Sequence, residues 1–222
     1  MTDPRPTRHV LRAAGDTDLP AMADVFIAAW RNGYRGLVPD DVLDALHPYT
    51  VATDLAVGLE HPWLTTTMAL GPDGQPIGFT RYGEDADHPG AGYLAALYVH
   101  PAASGLGAGR RLLDHVLEAL AGREIRLWVF DGNDRARGLY EQAGFRPDGA
   151  RRTDPRWRVP QIRMRRPARN HARRLPPLPD IALPRIQSVV TTVVHRPLRR
   201  PVRTALRPVY ELRAIEVSLR TV

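Results

Sequence analysis

The 222-residue chain contains neither cysteine nor lysine. The first absence excludes disulfides, thiolate metal sites and cysteine nucleophiles together. The second excludes a phosphate loop of the Gly-Lys-Ser/Thr kind. No stretch approaches the roughly 18 consecutive apolar residues of a membrane helix. Met1-Thr2-Asp3-Pro4-Arg5 opens no apolar run of signal-peptide length, so a cytoplasmic protein is expected. The eight histidines are scattered, with no His-Glu-x-x-His pair to set two ligands on one helix face, so no metal is expected.

What is present suffices for a core. At 43% hydrophobic residues, the chain can bury one domain and carry an appendage. The net charge of +7 is unevenly spread. Residues 1–150 hold 13 Arg against 20 acidic residues, residues 151–166 hold seven Arg against one, and residues 167–222 hold 11 Arg against three. Whole-chain charge therefore says little about the first part, while the end of the chain favours anionic partners.

Periodicity divides the chain into alternating elements. His9 to Arg12 reads as a strand, and Thr17-Asp18 with Pro20 opens a helix carrying Val25, Phe26, Ala29 and Trp30. Asp40 to Leu46 reads as a second short helix, and Thr50 is expected to cap a third that runs to about Glu60. Leu64 to Leu70, the turn Gly71-Pro72-Asp73-Gly74, and Ile77 to Tyr82 make a hairpin. Tyr93 to Val99 is a continuous apolar run, as expected of a strand buried on both faces. Leu106, Leu113, Val116, Leu117 and Leu120 form a helical stripe stopping at Gly122. Ile125 to Phe130 is another strand, Asn133-Asp134 begins a helix through Gln142, and two strands end near Arg166. This order predicts an α/β domain over residues 1–166, with a mixed, mostly antiparallel sheet and helices on both faces. Residues 167–222 are Arg- and Pro-rich and are expected to form a largely disordered extension.

The strongest local signal is the segment from Leu97 to Leu113: Leu97, Tyr98, Val99, then His100-Pro101-Ala102-Ala103-Ser104-Gly105-Leu106-Gly107-Ala108-Gly109-Arg110-Arg111. It joins a strand, a glycine-rich turn and the first turn of an amphipathic helix. That first turn leaves backbone N–H groups unpaired at the positive end of the helix dipole. Glycines let a phosphate approach those groups, and Arg110 with Arg111 adds charge. A dinucleotide fingerprint fits poorly, since the sixth position counted from Gly105 is Arg110 and the segment lies mid-chain. A tight strand-to-helix turn with no ligand is the plain alternative.

The segment resembles motif A of the GNAT N-acetyltransferase superfamily, Gln/Arg-x-x-Gly-x-Gly/Ala, with Ser104, Gly107 and Gly109 at the three named positions. Ser104 departs from Gln or Arg, which implies weaker phosphate binding with the backbone cradle kept. Leu127-Trp128-Val129, Asn133, Arg137 and Leu139-Tyr140-Glu141-Gln142-Ala143-Gly144-Phe145 resemble motif B. Ala29-Trp30-Arg31-Asn32-Gly33-Tyr34-Arg35-Gly36-Leu37-Val38-Pro39-Asp40 is similar to an acceptor-region stretch of bacterial members. Together these cover residues 8–166.

The resemblance implies a GNAT fold of six to seven strands and acetyl-CoA as acyl donor. Its pantetheine arm would lie between two splayed parallel strands, hydrogen-bonded to backbone groups of Leu97 and Val99. Residues 104–110 would hold the diphosphate, and Tyr98, Asn133 and Arg137 would line the cofactor. Tyr140 takes the family's acid position, although by spacing it is equally a core aromatic. Asn133 is equally a helix cap. The general base is not marked: where many members carry Glu on the central strand, this chain has Gly92-Tyr93-Leu94. Glu84 and His100 are candidates, a water chain is a third, and either side chain can simply be solvated. Trp30, Tyr34 and Arg35 would line the acceptor pocket, while Trp63, Trp128 and Trp157 are taken as packing residues. A primary amine, on a small molecule or a protein, is the expected acceptor, and a homodimer is common in the family. A reading of another class is a catalytically weak acyl-CoA-binding protein whose basic tail binds nucleic acid or anionic membrane. With Tyr210 as the tail's one aromatic residue, sequence-specific readout is not expected.

Overall fold

The computed structural model describes residues 9–155 and 157–168. The expectation for the extension falls beyond them, apart from its first two residues. A single seven-stranded sheet runs through the described residues in the order β1-β2-β3-β4-β5-β7-β6. The strands are β1 (Val10–Ala13), β2 (Leu64–Leu70), β3 (Pro76–Glu84), β4 (Gly92–Val99), β5 (Ile125–Phe130), β6 (Arg146–Asp154) and β7 (Val159–Arg166). Every neighbouring pair is antiparallel except β4 and β5. The helices are α1 (Leu19–Gly33), α2 (Asp40–Asp44), α3 (Pro48–Leu59), α4 (Ala108–Ala119) and α5 (Asp134–Gln142).

Side-chain alternation sorts these helices onto two faces. Met68 and Phe79, paired across β2 and β3, look toward α1 and α3, where Met22, Val25, Val51 and Leu55 close over them. The next residue, Ala69, looks the other way and packs with Ala108 and Leu112 of α4. The same face continues across β4, β5 and β7 through Leu94, Leu127 and Met164, covered by Leu113 and Val116 of α4 and Tyr140 of α5.

Two local expectations are corrected. Thr50 does not cap α3: the helix begins at Pro48, and the His47 ring accepts the N–H of Tyr49 at 3.3 Å. Pro48 has no N–H to satisfy, which moves the start earlier than hydroxyl chemistry suggests. Leu106 belongs to no helical stripe. It stands 56% exposed in the glycine turn, and α4 begins two residues later.

Candidate active site

The parallel pairing of β4 with β5 covers only Gly92, Tyr93 and Leu94 against Ile125, Arg126 and Leu127. Beyond that point β4 stays with β3 to Val99, and β5 stays with β7 to Phe130. The two strands therefore part. A bulge marks the start of the parting: Arg81 pairs with Ala96 and Tyr82 with Leu94, so Ala95 has no opposite residue on β3. An extra residue on one strand bends it and sharpens its twist. For this reason β4 is not buried on both faces as its apolar run suggests; from Ala95 to His100 every residue is half-buried.

Backbone direction in the gap follows from its neighbours. His100 donates its N–H to Ile77 O at 2.8 Å, and Ala96 O accepts the Thr80 hydroxyl at 2.8 Å, so both residues face β3. Alternation turns the N–H and C=O groups of Leu97 and Val99 toward β5, into the gap.

The glycine turn closes one side of this opening. Gly105 (φ 80°) and Gly107 (φ 85°) occupy the left-handed region, which a side chain would strain. Gly107 is the N-cap of α4 and has no side chain to cap with, and the first helical bond is Arg111 N–H to Gly107 O at 2.9 Å. Hence the N–H groups of Ala108, Gly109 and Arg110 have no acceptor in the helix. Gly109 lies near Val99, Leu139 and Leu97, whose side chains would meet a Cβ there at ordinary contact distance, 3.6–3.9 Å. The turn is held from two directions that sequence gave no sign of. Buried His9, 97 residues away, meets Leu106 O through Nε2 at 2.8 Å, and Arg135 of α5 donates to the Ser104 hydroxyl.

At the open end of the gap, three phenols and an amide gather. Tyr140 is 8% exposed, with its ring edge-on to Phe145 at 5.9 Å. Burial, and then the nearby Tyr98 phenol, push its pKa above the ordinary value. Tyr34 is pushed up in the same way, first by burial and then by Tyr98 and Tyr140, while a hydrogen bond with Asn133 works in the opposite sense. Asn133 caps α5, its side chain accepting the Ala136 N–H at 3.1 Å. Tyr140 thus remains a neutral O–H donor through the range where an amine acceptor works. A raised phenol pKa stabilises the fold below the unfolded value of about 10, and that contribution is lost as pH climbs toward the folded value. The urea midpoint should therefore drop more steeply above pH 10 in the native sequence than in a Tyr140→Phe variant. Equal slopes would show that Tyr140 is not a source of the drop.

The acceptor-region residues part company. Trp30 is 3% exposed and forms the floor of an aromatic wall that sequence did not outline, with Phe26, Tyr34, Phe130 and Trp157 around it at 4.3–5.8 Å. Trp157 belongs to this wall. Trp63, by contrast, is 62% exposed and packs little, and Trp128 lies under the Arg152 guanidinium at 4.3 Å. Arg35 is exposed and shared between Asp40 (3.3 Å) and Asp44 (3.7 Å). Arg158 Nη2 donates to both carboxylate oxygens of Asp41 (2.9 and 2.7 Å), an ion pair that ties the β6–β7 turn to α2 beside the same wall.

The remaining sequence candidates are dispersed. His100 follows Val99 directly, with its Nδ1 accepting the Ala102 N–H at 3.2 Å. Glu84 pairs with Gly92 at the opposite end of β4, exposed, near the Gly90 N–H. Arg110 is bound to Asp114 (2.9 Å), and Arg137 lies near Asp134 (3.6 Å) and Glu141 (3.9 Å) on its own helix. Among the described residues no three His, Asp or Glu side chains converge as metal ligands, and no helix is long and apolar enough to cross a membrane.

Comparison with known proteins bears on this geometry. The model of the acetyltransferase (GNAT) family matches residues 25–145. A probable N-acetyltransferase of Mycobacterium tuberculosis is 32% identical over 152 residues, covering 65% of this chain and 84% of that protein. A mycothiol acetyltransferase of Kineococcus radiotolerans is 40% identical over 97 residues, 41% of this chain, which spans only 31% of that protein's length. In fold, the chain is similar to the PaiA N-acetyltransferase of Thermoplasma acidophilum solved with coenzyme A (TM-score 0.58, 18% identity, 72% of this chain and 98% of that one). It is equally similar in fold to an acetyltransferase of Thermus thermophilus (TM-score 0.56, 19% identity, 72% and 96%). The chain belongs to the GNAT family of acetyltransferases.

Proposed function

We propose that the protein transfers the acetyl group of acetyl-CoA to a primary amine by direct attack in a ternary complex. The parting of β4 from β5 supports this reading most: it opens a slot edged by the Leu97 and Val99 backbone, with the uncapped start of α4 on one side and Tyr140 beside it. In this reading the pantetheine arm hydrogen-bonds Leu97 and Val99 as an added strand. The diphosphate takes the free N–H groups of residues 108–110. The amine nitrogen bonds to the thioester carbonyl carbon, and a slot-facing N–H holds the oxyanion. As the C–S bond breaks, the thiolate takes the Tyr140 proton, and the proton shed by the acetylated nitrogen passes to solvent, from which Tyr140 is reprotonated. An ammonium must first lose a proton, and we assign that step to a water chain passing His100, since Glu84 stands at the other end of β4.

The aromatic wall of Trp30, Tyr34, Phe130 and Trp157 would receive the acceptor. The mycothiol acetyltransferases align over under half of this chain, so their acceptor is not carried over.

The test is a calorimetric titration of acetyl-CoA, with CoA as comparison, into the full chain, followed by an amine panel. Saturable binding with Kd on the order of micromolar is expected. No binding at millimolar cofactor would overturn the reading. Binding without turnover of any amine would favour an acyl-CoA sensor, with the basic extension as its effector.

A further inference from the structure

We infer that Arg135 supplies the cationic contact to the CoA diphosphate that the serine at position 104 cannot make. This rests on the acetyl-CoA site proposed above. The family position that precedes the glycines by three residues holds Gln or Arg, and here Ser104 stands there. Its hydroxyl is not left alone: Arg135, 31 residues later and on a different helix, donates to it. The guanidinium therefore stands at the lip of the same turn that leaves the N–H groups of Ala108, Gly109 and Arg110 without helical acceptors.

The electrostatics of the free protein do not explain this placement. Arg135 is the second residue of α5, at the end of the helix where the dipole is positive and a cation is disfavoured. Its acceptor, Ser104, lies four residues before the start of α4. Among the described residues, no carboxylate lies within ion-pair distance of Arg135, whereas Arg110 and Arg137 each have acidic partners on their own helices. The start of α4 and an exposed guanidinium with no ion-pair partner among the described residues meet at one turn, and an anion bound there would be held by both. With its oxygen accepting from Arg135, the Ser104 O–H is free to donate to that anion as well. Nothing in the sequence spacing links the first turn of α5 to Ser104.

The experiment titrates CoA and dephospho-CoA into the full chain and into Arg135→Ala, Arg135→Gln, and a double variant combining Ser104→Arg with Arg135→Ala. Melting curves check that each variant folds. Either single replacement should weaken CoA binding about tenfold, the loss of one charge-assisted contact. It should also flatten the salt dependence of Kd, since a screened charge has gone. Because the contact is to the diphosphate, dephospho-CoA should lose as much as CoA. Restoring a guanidinium at position 104 in the double variant should recover most of the affinity, which a merely structural role for Arg135 would not allow. Unchanged CoA affinity in the single variants overturns the assignment while leaving the proposed site intact. A loss confined to CoA would move the contact to the 3′-phosphate and overturn the diphosphate assignment, and so would the lack of rescue. A native chain that binds neither ligand overturns the site reading and this inference together.

Discussion

Replacing Tyr140 with Phe should lower kcat by about a hundredfold or more, with the KM for acetyl-CoA changed little. The ring would still fill its place against Phe145, so only the hydroxyl is removed. In the proposed mechanism, what disappears is the proton that meets the leaving thiolate. A free thiol has a pKa near 8.5, so an unprotonated CoA thiolate departs at neutral pH only at a cost that a waiting donor relieves. Tyr140 is a neutral O–H at working pH, and the upward shift from burial and the Tyr98 phenol keeps it so without making it a stronger acid. It is unsuited to be the base for the same reason. Thiol release with the fastest amine found, followed across pH, is the measurement. If kcat stays within twofold of the native value, Tyr140 has no part in proton transfer.

Phe145→Ala should cost about 3–5 kcal/mol, a large share of the roughly 5–15 kcal/mol that holds a domain together. Phe145 is fully buried, within the cluster of Leu113, Val116, Leu127, Met164 and Tyr140 that joins α4 and α5 to the sheet. It directly follows Gly144, whose φ of 92° ends the α5 turn and brings the ring back under the helix. Truncation leaves a cavity beside Tyr140, the proposed acid, so activity should fall along with stability. Urea unfolding reads the effect as a lower midpoint at constant slope. A cost below about 1 kcal/mol would mean that the cluster collapses into the space, and the ring would not be what positions Tyr140.

Much of the architecture was legible residue by residue. The hairpin of β2 and β3 follows from Leu64–Leu70, the Gly71–Gly74 turn and the apolar run after it. The strand–glycine–helix segment shows its chemistry locally, because Gly105 and Gly107 mark positions where a backbone must turn through positive φ. Motif resemblance added the acyl donor. The misreadings were local as well: Leu106 matched a helical stripe by spacing alone, and Thr50 matched cap chemistry while Pro48 had already opened the helix.

The amino-acid sequence by itself determined which segments are strands and helices, which face of each is apolar, and where a phosphate could approach a helix start. Those properties are set by neighbours within a few residues, through period, turn chemistry and dihedral preference. Tertiary structure alone decided where β4 leaves β5, because a single unpaired residue, Ala95, shifts the register. It also decided that His9 would hold Leu106, that Arg135 would reach Ser104, and that Tyr34, Tyr98, Tyr140 and Asn133 would meet at one end of the slot. Contacts between residues 31 to 106 positions apart depend on strand register and helix placement, to which local pattern is blind.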